Sequence, residues 1–80
     1  MNEYLATFHT HLSAMLSYQA LRQAGHTAKM QPVPRVLSSS CGTCVRFRAD
    51  SDCRSLLDAD AEALYAVQDE QFCLLWREEV

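Results

Sequence analysis

Alternating apolar and polar positions in three stretches of the chain predict three β-strands. In the first, residues 3–8, both sides carry apolar side chains, which is typical of a strand covered on both faces. The second, residues 27–31, has one polar side and is stopped by Pro32 and Pro34. In the third, residues 44–48, two apolar residues alternate with a cysteine and two arginines.

A helical repeat separates the first two strands. Ala14, Tyr18 and Leu21 recur at i, i+4 and i+7, so they share one face of a helix that runs from about residue 10 to residue 24. Gly25 follows, and glycine readily adopts the left-handed conformation that ends helices.

A second helix is predicted after the third strand. Asp50 and Ser51 are both N-cap residue types, and Cys53, Leu56 and Leu57 form one apolar stripe at helical spacing. We therefore expect this stripe to pack on the same sheet as the first helix.

The pattern of the last twenty residues is ambiguous. Residues 61–68 fit either a continuation of the second helix or a fourth strand. Beyond them, Asp69 is able to cap a last helical turn in which Phe72, Leu75 and Trp76 share a face. If residues 61–68 form a strand, the order βαββαβ predicts an α+β, ferredoxin-like sandwich. Its antiparallel sheet would carry two helices on one face, and a short C-terminal extension would follow.

The composition is typical of one small soluble domain. The chain has 80 residues, of which 49% are hydrophobic and 21% charged, and no apolar run is long enough to cross a membrane. The N-terminus lacks a secretory signal, so we expect a cytoplasmic protein whose four cysteines are free thiols, redox groups or metal ligands rather than a disulfide framework.

The charges are distributed unevenly. No acidic residue lies between Tyr4 and Ala49, whereas nine of the ten acids lie from Asp50 onward. The basic half is only modestly charged and no aromatic side chain is clearly placed to stack a base, so we expect no nucleic-acid partner. The uneven charge favours a thiolate in the basic half, but it also fits two faces with different solvated charges.

The candidate chemistry lies in the basic half, at Cys41. The preceding Ser38–Ser40 run and the following Gly42 predict an exposed, flexible loop around this sulfur, and Cys44 completes a Cys-x-x-Cys spacing. A thiolate at Cys41 would be supported by several nearby side chains and backbone groups: Arg35, Ser39, Ser40, Gly42 and Arg46. Cys44 is a candidate to resolve a persulfide or to close a disulfide, although redox pairs of this spacing usually start a helix rather than a strand.

These residues resemble those of a known family, the sulfur/selenium (Se/S) carrier protein-like family of small domains. The resemblance covers about residues 3–68 and rests on Pro32, Pro34 and Arg35, on the Ser39–Gly42 stretch, and on the helix with Ala14, Leu21, Gly25, together with Tyr65. It implies a ferredoxin-like fold, a strand at residues 61–68, and Cys41 as the sulfur-bearing residue.

The resemblance also implies how the chain is divided and what it works with. Residues 1–68 would form the carrier-like domain, and residues 69–80 a C-terminal extension beyond the usual end of the family. We expect a thiol carrier or accessory module rather than a stand-alone enzyme, with a sulfurtransferase or cysteine desulfurase as partner and a homodimer as a further expectation.

The alternative is a metal-binding or protein-interaction module in which Cys41 and Cys44 are structural. A structural zinc site takes four ligands, so distant cysteines and histidines would have to converge on this pair, and no second close pair is present. We therefore expect neither a metal nor a cofactor. No nucleophile–base set, paired carboxylates or phosphate-binding loop with its lysine is recognisable either.

Overall fold

The first strand of the chain lies at the centre of a five-stranded antiparallel sheet. The computed structural model describes residues 1–79. The elements are β1 (Asn2–Phe8), α1 (His11–Gln23), β2 (Thr27–Pro32), β3 (Thr43–Ala49), a 3-10 turn (Arg54–Leu56), β4 (Ala61–Gln68) and β5 (Gln71–Arg77). The strands lie in the order β2-β3-β1-β4-β5. Residues Tyr4 to Phe8 are buried in succession, which confirms the prediction of a strand covered on both faces.

Helix α1 covers one side of the sheet, here called the helix face. Its buried residues Ala14 and Leu21 pack against Phe8 and other apolar side chains of strands β1 to β4. Thr10 caps the helix by accepting a 3.0 Å hydrogen bond from the Ser13 backbone N–H. Gly25 has a φ of +92° and ends the helix, as the sequence predicts.

The opposite side, the loop face, is covered without a helix. Leu5, Cys44, Ala63 and Tyr65 are buried there, and part of their cover comes from Val33, Leu37 and two further apolar side chains that pack against them. Val33 and Leu37 belong to the ten-residue connection between β2 and β3, residues 33–42, which we call the Cys41 loop. This loop is therefore part of the core as well as a connection.

The ferredoxin-like prediction with two helices on one face is wrong. Residues 1–79 form one α-helix and a five-stranded, wholly antiparallel sheet, so the fold is mostly β. Residues 61–68 do form a strand, as the resemblance implies. The expected second helix is reduced to the 3-10 turn Arg54–Leu56.

Side-chain hydrogen bonds to α1 explain why the second helix does not form. The Ser13 hydroxyl donates to the Asp58 carboxylate at 2.8 Å, and the Asp58 backbone N–H donates to the Ser17 hydroxyl at 2.8 Å. Cys53 adopts a left-handed φ of +54°, which interrupts any helix begun at residue 51. The segment from Cys53 to Asp58 is thus hydrogen-bonded to α1 at its C-terminal end and turns sharply at its N-terminal end.

The expected helical turn in the tail is also wrong, because residues Gln71–Arg77 form β5 and extend the sheet beside β4. Leu64 pairs with Trp76 whereas Tyr65 pairs with Leu74, so Leu75 is an extra, bulged residue. The bulge shifts the alternation, so Trp76 packs on the helix face whereas Phe72 packs on the loop face. The two residues therefore do not share a face, as the predicted helical turn would require. The division of the chain at residue 68 stays a prediction.

No helix within residues 1–79 combines the length and the apolar character that a bilayer crossing requires.

Replacing Trp76 by Ala should lower the free energy of unfolding by about 2 kcal/mol, because the indole packs against the helix-face core and under the guanidinium of Arg54, 4.6 Å from the ring centre. Urea unfolding followed by circular dichroism would measure this change. Leu75→Ala is the matched control, since the bulged Leu75 is 49% exposed and should cost only about 0.5 kcal/mol. Equal losses in the two variants would show that Trp76 does not anchor β5.

Candidate functional site

The Cys41 loop is closed at its base by the backbone. The Val33 N–H donates to the Gly42 carbonyl at 3.0 Å, which continues the β2–β3 pairing, and an inner turn forms where the Leu37 N–H donates to the Pro34 carbonyl at 3.0 Å. Gly42 has a φ of +75°, so a side chain at this position would be strained. The chain therefore reverses direction immediately after Cys41.

Cys41 lies where the loop passes from one side of the sheet to the other. Val33 and Leu37 pack on the loop face, whereas Cys41 packs against the helix-face core. Its side chain is partly exposed, and the thiol donates to the Thr43 carbonyl at 3.4 Å. The sulfur is thus accessible but oriented.

Two serines fix the residues before Cys41. The Ser39 hydroxyl donates to the carbonyl of Phe8, the last residue of β1, at 3.0 Å. The Ser40 N–H donates to both carboxylate oxygens of Glu62 at 3.2 Å, and the Ser40 hydroxyl donates to the same carboxylate. Both predicted supporting serines therefore bind groups of the sheet, the Phe8 carbonyl and the Glu62 carboxylate, and not the Cys41 sulfur.

A β-bulge directs Glu62 at the loop. Thr7 pairs with Ala63 whereas Phe8 pairs with Ala61, so Glu62 is the extra residue on β4. Bulges commonly re-aim a side chain out of the regular alternation of a strand. Here the bulge gives the carboxylate access to the end of the sheet, where the Cys41 loop crosses.

Two histidines flank the N-cap of α1 and contact residues on either side of Cys41, in the loop and at the start of β3. His9 Nδ1 lies 3.3 Å from the Ser40 hydroxyl and 3.3 Å from Glu62 Oε2. His9 Nε2 is paired with Glu78, and His11 Nδ1 lies 3.4 Å from the Thr43 hydroxyl. These contacts hold the loop beside the start of α1.

Sequence reasoning missed Glu62, Glu78 and both histidines as site residues. Glu62 lies in the acidic half and far along the chain from Cys41, and nothing in the sequence marks the bulge. A signal did exist for His9 and His11, because they directly follow a predicted strand and precede a predicted helix. Such a junction lies at the end of a strand, where the connecting loops of the sheet meet.

The protonation state of Glu62 is set by competing effects. Partial burial acts to raise the pKa of Glu62, but hydrogen bonds from Ser40 and Ser39 and the charge of His9 act in the opposite direction and outweigh it. The net pKa lies below the ordinary value, so the carboxylate is ionised at neutral pH. Its negative charge is what the Ser40 N–H and hydroxyl bind.

Cys44 is placed very differently from Cys41. Its side chain is buried on the loop face, and its thiol donates to the Pro32 carbonyl at 3.7 Å. Burial raises the pKa of Cys44 to about 11; a nearby charge on Cys41 adds to this, whereas Arg46 and Gln31 oppose it. At neutral pH Cys44 is thus a closed-in thiol, and no disulfide joins it to Cys41.

The Cys41 thiol bonds to the Thr43 carbonyl rather than to either of the two predicted supporting arginines. The Arg46 guanidinium pairs with Glu3 and, at 2.8 Å, with Glu70, and these acids raise its pKa further. Arg35 is exposed on the Cys41 loop. Hydrogen bonds from serine, rather than these cations, therefore order the residues before Cys41.

The other two thiols lie away from this loop. Cys53 is partly buried beside His26, and Cys73 is exposed on β5. Within residues 1–79, no group of three or more His, Cys, Asp or Glu side chains is arranged to hold a metal ion.

Replacing Glu62 by Gln should reduce the loss of stability in acid. The depressed pKa means that Glu62 stabilises the fold fully above its unfolded value of about 4.5, and that this contribution is lost as the pH falls below it. Unfolding free energies measured from pH 5.5 to 3 should therefore fall less steeply in Glu62→Gln than in the wild type. Glu79→Gln is the control at an exposed carboxylate, and it should retain the wild-type slope.

Cys44 should make the protein less stable in alkali. Between pH 9 and about 11 the unfolded chain loses the Cys44 proton while the folded chain keeps it, so stability falls as the pH rises through this window. The loss should reach about 2 kcal/mol. Cys44→Ala should be less stable at pH 8 but lack this part of the alkaline decline, whereas Cys73→Ala should keep it. An alkaline slope unchanged by Cys44→Ala would contradict the assignment.

Comparisons with known proteins agree with the resemblance noted from the sequence. Residues 3–64 match the family model described as "Putative Se/S carrier protein-like". A relative, "Uncharacterized protein YtiA" of Escherichia coli (strain K12), is 28% identical over 71 residues, which cover 86% of this chain and 84% of the relative. No solved structure matches significantly. Because the family model spans most of its length, the chain belongs to the Se/S carrier protein-like family.

Proposed function

We propose that this protein carries sulfur or selenium on Cys41, as a persulfide or its selenium analogue. The observation that supports this is the combination of partial exposure and fixed surroundings at Cys41. The residue before it is bound to Glu62 and His9, and the thiol itself is oriented toward the Thr43 carbonyl. A carrier thiol has to be reachable by a donor and to present its sulfur reproducibly.

The proposed loading step exchanges one sulfur–sulfur bond for another. The Cys41 thiolate attacks the outer sulfur of a donor persulfide, a new bond forms between the Cys41 sulfur and that outer sulfur, and the donor's sulfur–sulfur bond breaks. The donor leaves as a thiolate, and the proton released by Cys41 passes to solvent. The step needs no external oxidant or reductant.

The partner of this step would be a protein that presents a persulfide, either a sulfurtransferase or a cysteine desulfurase. The loop suits such a partner because its crest is exposed, with Arg35, Val36 and Ser38 accessible on the outer side. The base of the loop is held against β1 and β4, so docking would not require the sheet to open.

Cys44 has no part in the loading step. It is buried on the loop face with a pKa raised to about 11, so it is neither accessible nor ionised at neutral pH. We infer a packing role for Cys44 against Leu5 and Leu37. No observation favours the metal-binding alternative, since no fitting cluster exists among the residues that the structure describes.

Incubation with a cysteine desulfurase and cysteine should add sulfur to Cys41, detected by mass spectrometry of the intact protein and its peptides. Cys41→Ser should abolish this addition, because the hydroxyl cannot form the sulfur–sulfur bond. Cys73→Ser is the matched control, since Cys73 is more exposed than Cys41 but lies outside the loop.

Two results would overturn the proposal. One is undiminished sulfur addition in Cys41→Ser, and the other is addition to the wild type that resides on Cys73. A loss of addition in Glu62→Gln with Cys41 still present would support the role of loop anchoring.

A further inference from the structure

Cys53 and His26 form a thiol–imidazole pair outside the Cys41 loop. The Cys53 sulfur lies 3.5 Å from His26 Nε2 and 3.5 Å from the Ser51 carbonyl oxygen, with the Ser51 hydroxyl at 4.0 Å. The carbonyl only accepts hydrogen bonds, whereas the imidazole nitrogen can accept the thiol proton or, once protonated, donate to the sulfur. The pair therefore accommodates both the thiol and the thiolate form.

The backbone holds the two residues of this pair in place. His26 follows Gly25 just beyond the end of α1, and its N–H donates to the Leu21 carbonyl at 3.0 Å. Cys53 has a left-handed φ of +54°, and its carbonyl accepts from the Leu56 N–H at 2.9 Å, which begins the 3-10 turn. Both side chains are partly exposed, so a small molecule can reach them.

This pair lies at the opposite end of α1 from Cys41. Thr43, two residues after Cys41, contacts His11, the first residue of the helix, whereas His26 lies beyond the last helical turn. Thirteen helical residues separate the two ends by about 20 Å. Cys53 therefore cannot exchange sulfur with Cys41 of the same molecule, and a role for it would be independent of the proposed carrier function.

We propose that Cys53 and His26 form a second reactive thiol site, at which Cys53 forms mixed disulfides with small disulfide molecules. A nucleophile within hydrogen-bond reach of a base is the arrangement that activates thiols in proteins. The small size of the reactant follows from the partial burial of the sulfur, which also packs against the helix-face core.

The reaction is balanced without a further oxidant. His26 Nε2 accepts the Cys53 proton, and the thiolate attacks one sulfur of the small disulfide. A bond forms between Cys53 and that sulfur, the original sulfur–sulfur bond breaks, and the departing thiolate takes the proton from His26. Cys53 is oxidised and half of the small disulfide is reduced.

The test compares thiols within one molecule. Wild-type protein is treated with hydroxyethyl disulfide, a neutral probe, and each cysteine peptide is followed by mass spectrometry over time. Cys53 should be modified faster than Cys73, even though Cys73 is more exposed, because Cys73 has no imidazole partner within residues 1–79. Modification of Cys53 no faster than that of Cys73 would overturn the proposal.

A variant separates the imidazole effect from exposure. His26→Gln should slow Cys53 by about tenfold or more and leave Cys73 unchanged, because only the proton acceptor is removed. The buried Cys44 reports on the fold in the same experiment, since it should stay unmodified while the protein is folded. An unchanged Cys53 rate in folded His26→Gln would overturn the role of His26.

Discussion

The burial of β1 on both faces and at both edges is the constraint on which the rest of the structure depends. Its residues pair with β3 on one side and β4 on the other, and Leu5, Ala6 and Phe8 are fully buried. A single strand in the middle of a small protein needs cover on two sides. Here α1 covers one side and the Cys41 loop helps to cover the other, because residues 1–79 contain no second α-helix to do so.

The candidate site follows from this double cover. The Cys41 loop reaches the end of β1 because its apolar residues are needed on the loop face, and there Ser39 binds the Phe8 carbonyl. The pairing of β1 with β4 then brings the acidic half of the chain, through Glu62, against the basic half. Charged groups of the two halves meet here because Glu62 and Glu78 contact His9, and they meet again where Arg46 binds Glu70 as well as Glu3.

The sequence predicts the parts of this structure that local patterns encode. The first three strands and α1 with Gly25 carry regular apolar spacing, and each was found where expected. The failures involve interactions between distant residues. Hydrogen bonds with Ser13 and Ser17 of α1 hold Asp58, and the predicted second helix does not form. The bulge at Leu75 interrupts the regular alternation of β5, so the sequence pattern does not predict a strand there. The bulge at Glu62 likewise hides the main anchor of the site.

The binding of Ser40 by Glu62 also limits how the Cys41 sulfur is stabilised. The sequence suggests that backbone N–H groups of the serine run hold a thiolate or persulfide anion, but the Ser40 N–H is already bound to both oxygens of Glu62. A negative carboxylate bound to the loop and the pairing of Arg46 with Glu3 and Glu70 both argue against a strongly cationic site. The loop therefore contributes orientation and access rather than charge.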